Sequence, residues 1–234
     1  MKMGKKEAGK ELASGINLVL SCEVMEQEIR KIQNGRGDCK LLDYGLHRTP
    51  ENMTQALQVE IDRASKLKYD HIILGYGLCS NGILGLRVSK QPIVIPRVHD
   101  CISLFLGSSK SYQQQMFSHP GTYYLTPGWI EKGETPLSKY ENYCRSYDRE
   151  TALWVLKEEM KSYTRIALID SGLVGLDPYR SYARKNADFL GIQYEELKGS
   201  FSFFERLLTG FWDKRDFVIL RKGQRLIQDM FLKS

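Results

Sequence analysis

The sequence lacks the features of a membrane protein and of an exported protein. No stretch of the chain reaches the roughly 18 uninterrupted apolar residues that a transmembrane helix needs. Lysines are frequent in residues 1–10, but neither an apolar run of signal-peptide length nor a small-residue cleavage site follows them. We therefore expect a cytoplasmic protein whose residues 1–14 form a flexible polar leader.

The chain also lacks the cysteine pattern of a small secreted domain. Its 234 residues include five cysteines, an odd number, and no two of them have CxxC spacing. Without an export signal, a disulfide framework is not expected. We predict reduced thiols that are either buried or bound to a metal ion.

Features of nucleic-acid binding are absent as well. The formal net charge is +6, but no basic helix with interleaved aromatic residues and no known nucleic-acid module is present. A mildly basic surface of this kind attracts anionic small molecules. We expect a small-molecule substrate, and neither nucleic acid nor a membrane as a partner.

Strand-like and helix-like segments alternate along most of the chain. Short apolar runs predict strands at 16–21, 40–44, 71–75, 92–95, 165–169, 192–197 and 217–220. Helical patterns occupy 23–33, 49–68, 101–117, 149–162, 178–189 and 201–210. Such alternation predicts an α/β fold, Rossmann-like or flavodoxin-like, with a mostly parallel sheet flanked by helices.

Residues 118–147 interrupt this alternation and are predicted to be irregular. They contain several prolines and glycines together with many aromatic residues, a composition typical of a lid, a binding loop or a subunit contact. We predict a single α/β domain over 15–234. The alternative is two lobes, a cysteine-site lobe at 15–120 and a second lobe at 160–234, joined by 121–159.

Three of the cysteines share one kind of position, just beyond a predicted buried strand. Cys22 follows the first predicted strand, Cys79 follows the strand at 71–75, and Cys101 follows the strand at 92–95. In open α/β sheets, ligands bind at the carboxyl ends of the strands. We therefore expect the three thiols to meet at one site.

The chemistry of these side chains predicts a metal centre. Zinc is bound by cysteine sulfur and histidine nitrogen, so Cys22, Cys79 and Cys101 are predicted metal ligands, with His99 as a fourth or alternative ligand. An iron–sulfur cluster is the alternative cofactor. A second alternative is that the three thiols are buried and inert. Cys39 and Cys144 are predicted to be structural.

Polar residues next to these cysteines are candidates for substrate binding. The glycine-rich turn at 75–82 allows close backbone approach, and its consecutive amides could hold an anion. We predict that Gly77, Ser80 and Asn81 contact the substrate. The alternative is a tight strand-to-helix turn with no ligand.

The segment that leads to Cys101 supplies the candidate catalytic residues. His99 could ligate the metal, activate a thiol or accept a proton. Asp100 could orient it or cap the following helix. Arg97 is predicted to hold an anionic group of the substrate, and Trp129 to contact the substrate and exclude water.

Six short motifs between residues 16 and 228 together resemble a known family. They are Leu-Ser-Cys-Glu (20–23), Gly-Tyr-Gly-Leu-Cys-Ser-Asn-Gly (75–82), Pro-Arg-Val-His-Asp-Cys-Ile (96–102), Pro-Gly-Trp (127–129), Gly-Phe-Trp-Asp (210–213) and Asp-Phe-Val-Ile-Leu (216–220). The family is catalogued as domain of unknown function 1638 (DUF1638). Many members have a Pro-Gly turn after the final strand, where this chain has Arg-Lys-Gly-Gln (221–224).

The resemblance implies a metabolic setting. Similar proteins occur in anaerobic bacteria and methanogenic archaea, often encoded near corrinoid-dependent methyltransferases. This implies one-carbon metabolism, and a metal-dependent methyltransferase that activates a thiol substrate and works with a corrinoid protein or a methyltransferase. The alternatives are an iron–sulfur protein of redox or maturation chemistry, and a non-catalytic accessory protein of a corrinoid methyltransferase system.

Overall fold

The structure, a computed structural model, describes residues 16–232. The predicted leader at 1–14 lies outside the described residues. The strands are β1 (Leu18–Cys22), β2 (Asp38–Leu42), β3 (Ile72–Gly75), β4 (Ile93–Pro96), β5 (Thr122–Leu125), β6 (Arg165–Asp170), β7 (Gln193–Lys198) and β8 (Phe217–Leu220). The α-helices are α1 (Glu26–Gln33), α2 (Pro50–Ala64), α3 (Ile102–Phe105), α4 (Ser109–Ser118), α5 (Pro127–Lys132), α6 (Pro136–Tyr143), α7 (Arg149–Met160), α8 (Asp177–Leu190) and α9 (Ser202–Thr209). Short 3-10 helices cover Glu23–Met25, Tyr44–Arg48 and Gln228–Phe231.

These strands form two sheets. The larger sheet has the order β2-β1-β3-β4-β8, and its neighbours are parallel except for β8, which is antiparallel to β4. The smaller sheet has the order β5-β6-β7 and is fully parallel. In the larger sheet β2 lies on one side of β1 and β3 on the other. This switch point opens a crevice at the carboxyl ends of β1 and β3.

Burial explains which segments became central strands. Every residue of β1, β3 and β4 is buried, as continuous apolar runs covered on both faces should be. The edge strands β2 and β7 are mostly exposed or half-buried. The prediction of an α/β fold with parallel sheets flanked by helices is confirmed. Among residues 16–232, no helix has both the length and the apolar character that crossing a membrane requires.

The prediction that 118–147 is irregular is wrong, because β5, α5 and α6 lie there. Thr126 caps α5 by accepting a hydrogen bond from the Trp129 amide at 3.1 Å. Thr135 and Ser138 form a capping box at the start of α6. In both cases a proline follows the threonine, and proline in the first turn is compatible with a helix. These prolines therefore mark helix starts rather than an irregular chain.

The predicted helix at 101–117 is two helices, α3 and α4. Gly107 separates them with a φ of +81°, a conformation that favours glycine. A Cβ at this position would also lie 2.6 Å from the Cβ of Ser200. Ser108 then caps α4 by accepting a hydrogen bond from the Ser111 amide at 3.0 Å. The break at Gly107 lets the chain turn between the two helices.

A close backbone contact at Gly128 holds helix α5, which follows β5 of the smaller sheet, against the segment that follows β1 of the larger sheet. Gly128 lies in the first turn of α5, and a Cβ there would overlap the carbonyl oxygen of Val24 and lie 2.8 Å from its carbonyl carbon. Val24 follows Cys22 by two residues. The contact therefore sets the position of α5, and of Trp129, relative to the end of β1.

We predict that Gly128→Ala destabilises the protein, because the added methyl group must push backbone atoms apart. The expected loss is about 2–3 kcal/mol of the free energy of unfolding, measured as a lower urea midpoint at unchanged m-value. Gly175→Ala is the matched control, since a Cβ at Gly175 meets nothing within 4 Å. Equal midpoints for the two variants would contradict this account of the contact.

A buried carboxyl group also lies between the sheets. Glu28 in α1 has no exposed surface, and the hydroxyl of Ser171, just after β6, donates a hydrogen bond to it at 3.2 Å. Burial is the main cause that raises the pKa of Glu28 from 4.5 to about 7. The folded protein therefore keeps this carboxyl protonated at pH values where the unfolded chain ionises it.

The contribution of Glu28 to stability should therefore be greatest below about pH 4.5 and be lost as the pH rises to about 7. Glu28→Gln should gain stability relative to the wild type across that window, by at most about 3 kcal/mol. Urea unfolding of both proteins over the pH range measures the difference. A difference that does not change with pH would show that the Glu28 pKa is not raised.

A thiol-lined candidate site

A cavity of about 600 Å³ lies at the switch point of the larger sheet. Cys22, Cys79 and Cys101 all line it, together with His99 and Asp100. The structure thus brings the three thiols together at one site, as the strand-end argument predicts. A cavity of this volume is within the usual range for small-molecule sites. The role of the thiols as metal ligands stays a prediction.

The residues predicted to contact the substrate do not all line the same cavity. Ser80 and Trp129 line the same cavity as the thiols. Arg97 lines a second, smaller cavity instead. Gly77 and Asn81 are not among the residues lining either cavity.

Gly77 has a packing role that the sequence did not reveal. A Cβ at Gly77 would lie 2.9 Å from both the backbone nitrogen and the Cα of Asp100. The glycine therefore lets the segment after β3 lie directly against the segment after β4. Next to it, the amide of Cys79 donates to the carbonyl of His99 at 3.0 Å. This close approach brings Cys79 and Cys101 to the same cavity.

The turn that carries Cys79 has an unusual backbone. Cys79, Ser80 and Asn81 have φ values of +45°, +56° and +68°, so three consecutive non-glycine residues are left-handed. Each such residue costs on the order of 1 kcal/mol or more, and conformations of this kind cluster at ligand-binding and catalytic sites. The amide of Gly82 closes the turn on the carbonyl of Cys79 at 3.0 Å. The turn continues into further turns rather than the helix of the alternative prediction.

The three thiols are neutral at physiological pH. Burial is the largest cause that raises the pKa of Cys22 and of Cys79 to about 12. It also raises the pKa of Cys101 well above its ordinary value, and repulsion from Cys79, when that thiol is ionised, and from the carboxylate of Asp100 adds to the effect. Without a positive charge beside them, these groups therefore do not act as thiolates.

The cations that line the cavity are already paired with carboxylates. Arg48 forms an ion pair with Glu134 at 2.5 Å, and Lys139 forms one with Glu159 at 2.9 Å. A bound metal ion is the usual way in which a protein ionises several cysteines at one place. A bound metal ion would therefore supply the positive charge that these paired side chains do not offer to the thiols.

The three thiols fit a zinc ion in kind, because sulfur is a preferred zinc ligand. In this structure, however, the three sulfur atoms are not arranged around a single point where an ion could bind. Within residues 16–232, no group of three or more histidine, cysteine, aspartate and glutamate side chains has an arrangement that could hold a metal ion. Metal binding at this cavity therefore requires the sulfurs to move closer together.

A buried tyrosine hydroxyl also lines this cavity. Tyr76 is 2% exposed, and its hydroxyl has no hydrogen-bond partner in the part of the chain that the structure describes. Leaving a buried hydroxyl unpaired costs about 1–3 kcal/mol. Sequence reasoning missed Tyr76, although it lies between the glycines of the same turn. A ligand that accepts a hydrogen bond from Tyr76 would remove the cost.

Aromatic residues form one wall of the cavity. Trp129 contacts the rings of Tyr44 and His47 at centroid distances of 5.9 and 5.6 Å, and its indole nitrogen donates to the carbonyl of Glu134 at 2.8 Å. Tyr44 and His47 follow β2, as does Asp43, which also lines the cavity. The sequence analysis missed all three, although the strand-end rule applied to β2 would have found them.

Asp100 is held by two hydrogen bonds. One carboxylate oxygen accepts from the amide of Ile102 at 2.9 Å, and the other accepts from the hydroxyl of Tyr112. It thus ties the start of α3 to α4. Burial raises the pKa of Asp100, although these two hydrogen bonds oppose the shift. His99 is exposed and lines both cavities. The catalytic roles of His99 and Asp100 stay predictions.

The remaining cysteines lie elsewhere. Cys39 is in β2 and Cys144 follows α6, and neither lines the thiol-lined cavity. All five cysteines are free thiols. Cys39 and Cys144 therefore serve as internal controls for the three at the strand ends.

Fold and site together define an α/β protein with a thiol-lined cavity at the switch point of its sheet. Over residues 41–208 the chain matches the family described as "Protein of unknown function (DUF1638)". Because the match covers most of the chain, the protein belongs to this family. The match includes Cys79 and Cys101 but begins after Cys22. No curated protein and no solved structure matches the chain.

We predict slow alkylation of the three cavity thiols in the folded protein after a chelator has removed any bound metal. Their raised pKa values keep the thiolate fraction minute at about pH 8. After a short exposure to iodoacetamide, mass spectrometry should find Cys144 modified first, and Cys22, Cys79 and Cys101 modified only after unfolding. Rapid labelling of Cys79 in the native state would contradict the pKa assignment.

Proposed function

We propose that this protein binds zinc through the sulfurs of Cys22, Cys79 and Cys101, with His99 as a fourth or alternative ligand. One observation carries the proposal: three thiols from three neighbouring strand ends line a single cavity. Residues that serve only packing have no reason to converge at the switch point, where α/β proteins bind their ligands. The left-handed turn at 79–81 supports the same conclusion.

We further propose that the site transfers a methyl group from a donor held by a partner protein to a thiol substrate. The substrate sulfur forms the new bond to the methyl carbon as the bond between methyl group and donor breaks, and the electron pair of that bond stays with the donor. Bound zinc supplies a Lewis acid that lowers the pKa of such a thiol. Tyr76 donates a hydrogen bond to the substrate from its otherwise unpaired hydroxyl, and Ser80 contacts the substrate from the exposed side. Trp129 excludes water. His99 is solvent-exposed; where it does not bind the metal, it accepts the proton that the substrate releases.

The methyl-transfer part rests on the family resemblance rather than on the cavity. The proposed partner is a corrinoid protein or a methyltransferase, and the proposed location is the cytoplasm, where thiols stay reduced. An iron–sulfur cluster on the same thiols is the second candidate, since three cysteines suit it equally well. A non-catalytic accessory protein is the third candidate, in which the aromatic segment around Trp129 would contact a partner protein. Trp129 lines the cavity beside Tyr44 and His47, which favours a role at the cavity.

The zinc proposal predicts which cysteines matter. After anaerobic purification, elemental analysis should find about one zinc per chain. Cys22→Ser, Cys79→Ser and Cys101→Ser should each lose most of it, because each removes a sulfur ligand. Cys39→Ser and Cys144→Ser are matched controls and should keep it. Equal metal content in all five variants would refute the proposal.

Elemental analysis and the visible spectrum of the same preparation distinguish zinc from an iron–sulfur cluster. Zinc without visible absorption supports the zinc site. Iron with matching sulfide and a brown colour would instead show that the same residues hold an iron–sulfur cluster. The absence of both metals would remove the proposed metal chemistry.

A further inference from the structure

A second cavity of about 240 Å³ borders the segment that follows β4. Its walls come from that segment, from α3, from the first turn of α4 and from the 3-10 helix Gln228–Phe231. His99 lines both this cavity and the thiol-lined one. The two cavities are therefore neighbours with a shared wall.

Three polar groups at this cavity have no partner. The Nε of Arg97 and the hydroxyls of Ser103 and Ser109 are buried and make no hydrogen bond within residues 16–232. Ser103 is 1% exposed. Leaving a buried polar group without a hydrogen bond is unfavourable, and native proteins rarely leave three together. Their convergence indicates a ligand that accepts hydrogen bonds.

The charge at this cavity is positive. Arg97 lines it, and in the described part of the chain no aspartate or glutamate does. Ser109 opens the ten-residue helix α4, whose N-terminus carries a partial positive charge that favours anions. One terminal nitrogen of Arg97 donates to the carbonyl of Leu232 at 3.3 Å. That contact fixes the guanidinium while Nε stays unpaired.

We propose that the second cavity binds a phosphoryl group, either free phosphate or the phosphate of a small ester. Arginine and hydroxyl donors reach the cavity from three different elements. This suits the oxygens of a tetrahedral anion, and arginine favours phosphate through charge-assisted hydrogen bonds. The inference does not depend on the metal proposed for the thiols.

The test is calorimetric titration of the full-length protein with inorganic phosphate, at fixed ionic strength and after phosphate-free purification. Wild-type protein should bind saturably. Arg97→Gln should weaken binding at least about tenfold and Ser103→Ala about threefold to tenfold. Arg145→Gln removes an exposed arginine elsewhere on the surface and should bind like wild type. Glycerol 3-phosphate in place of phosphate distinguishes an ester from the free ion by the tighter affinity.

Two further variants keep the test decisive. Ser109→Ala changes only a half-buried serine at the start of α4 and should weaken binding about threefold, which covers the case in which Arg97→Gln does not fold. Cys144→Ser should keep the phosphate affinity, because Cys144 lines neither cavity. No saturable binding by the wild type, or equal weakening in Arg97→Gln and Arg145→Gln, would overturn the proposal.

Discussion

Parallel pairing of β1 with β3 determines where the cysteines of the site can lie. The register places Ser21 opposite Gly75, and a Cβ at Gly75 would lie 2.7 Å from the Cβ of Ser21. With this close approach, Cys22 and the turn that carries Cys79 leave the sheet side by side. Gly77 then allows the same approach to the segment after β4, which brings Cys101 to them. The thiol-lined cavity follows from these two glycine contacts.

Several features at the two cavities are unfavourable in the absence of a ligand. The thiol-lined cavity combines three left-handed residues, neutral thiols and an unpaired Tyr76 hydroxyl. The neighbouring cavity adds an arginine nitrogen and two serine hydroxyls without partners. A folded protein tolerates such local costs where binding offsets them. Both cavities adjoin His99, so these unfavourable features lie on two sides of one short segment.

The sequence predicts the fold and the thiol positions because both depend on local signals. Apolar runs mark the buried strands. Cys22 is the last residue of β1, and Cys79 and Cys101 lie in the segments that follow β3 and β4. The left-handed turn could not be predicted, since cysteine and serine do not favour that conformation as Asn81 does. The second cavity depends on the packing of the Gln228–Phe231 helix beside α3 and α4, a long-range contact without a local signal. The pairs Thr126-Pro127 and Thr135-Pro136 start helices, as Thr49-Pro50 does, but the many prolines and glycines of 118–147 predict an irregular segment.

X-ray absorption at the zinc edge tests the central claim most directly, because it reports the atoms that bind the metal. The account predicts that zinc-loaded protein shows about three sulfur neighbours at about 2.3 Å. This requires Cys22, Cys79 and Cys101 to close on one ion. Zinc surrounded by nitrogen and oxygen alone, at about 2.0–2.1 Å, would contradict it and would mean that the converging thiols are not a metal site.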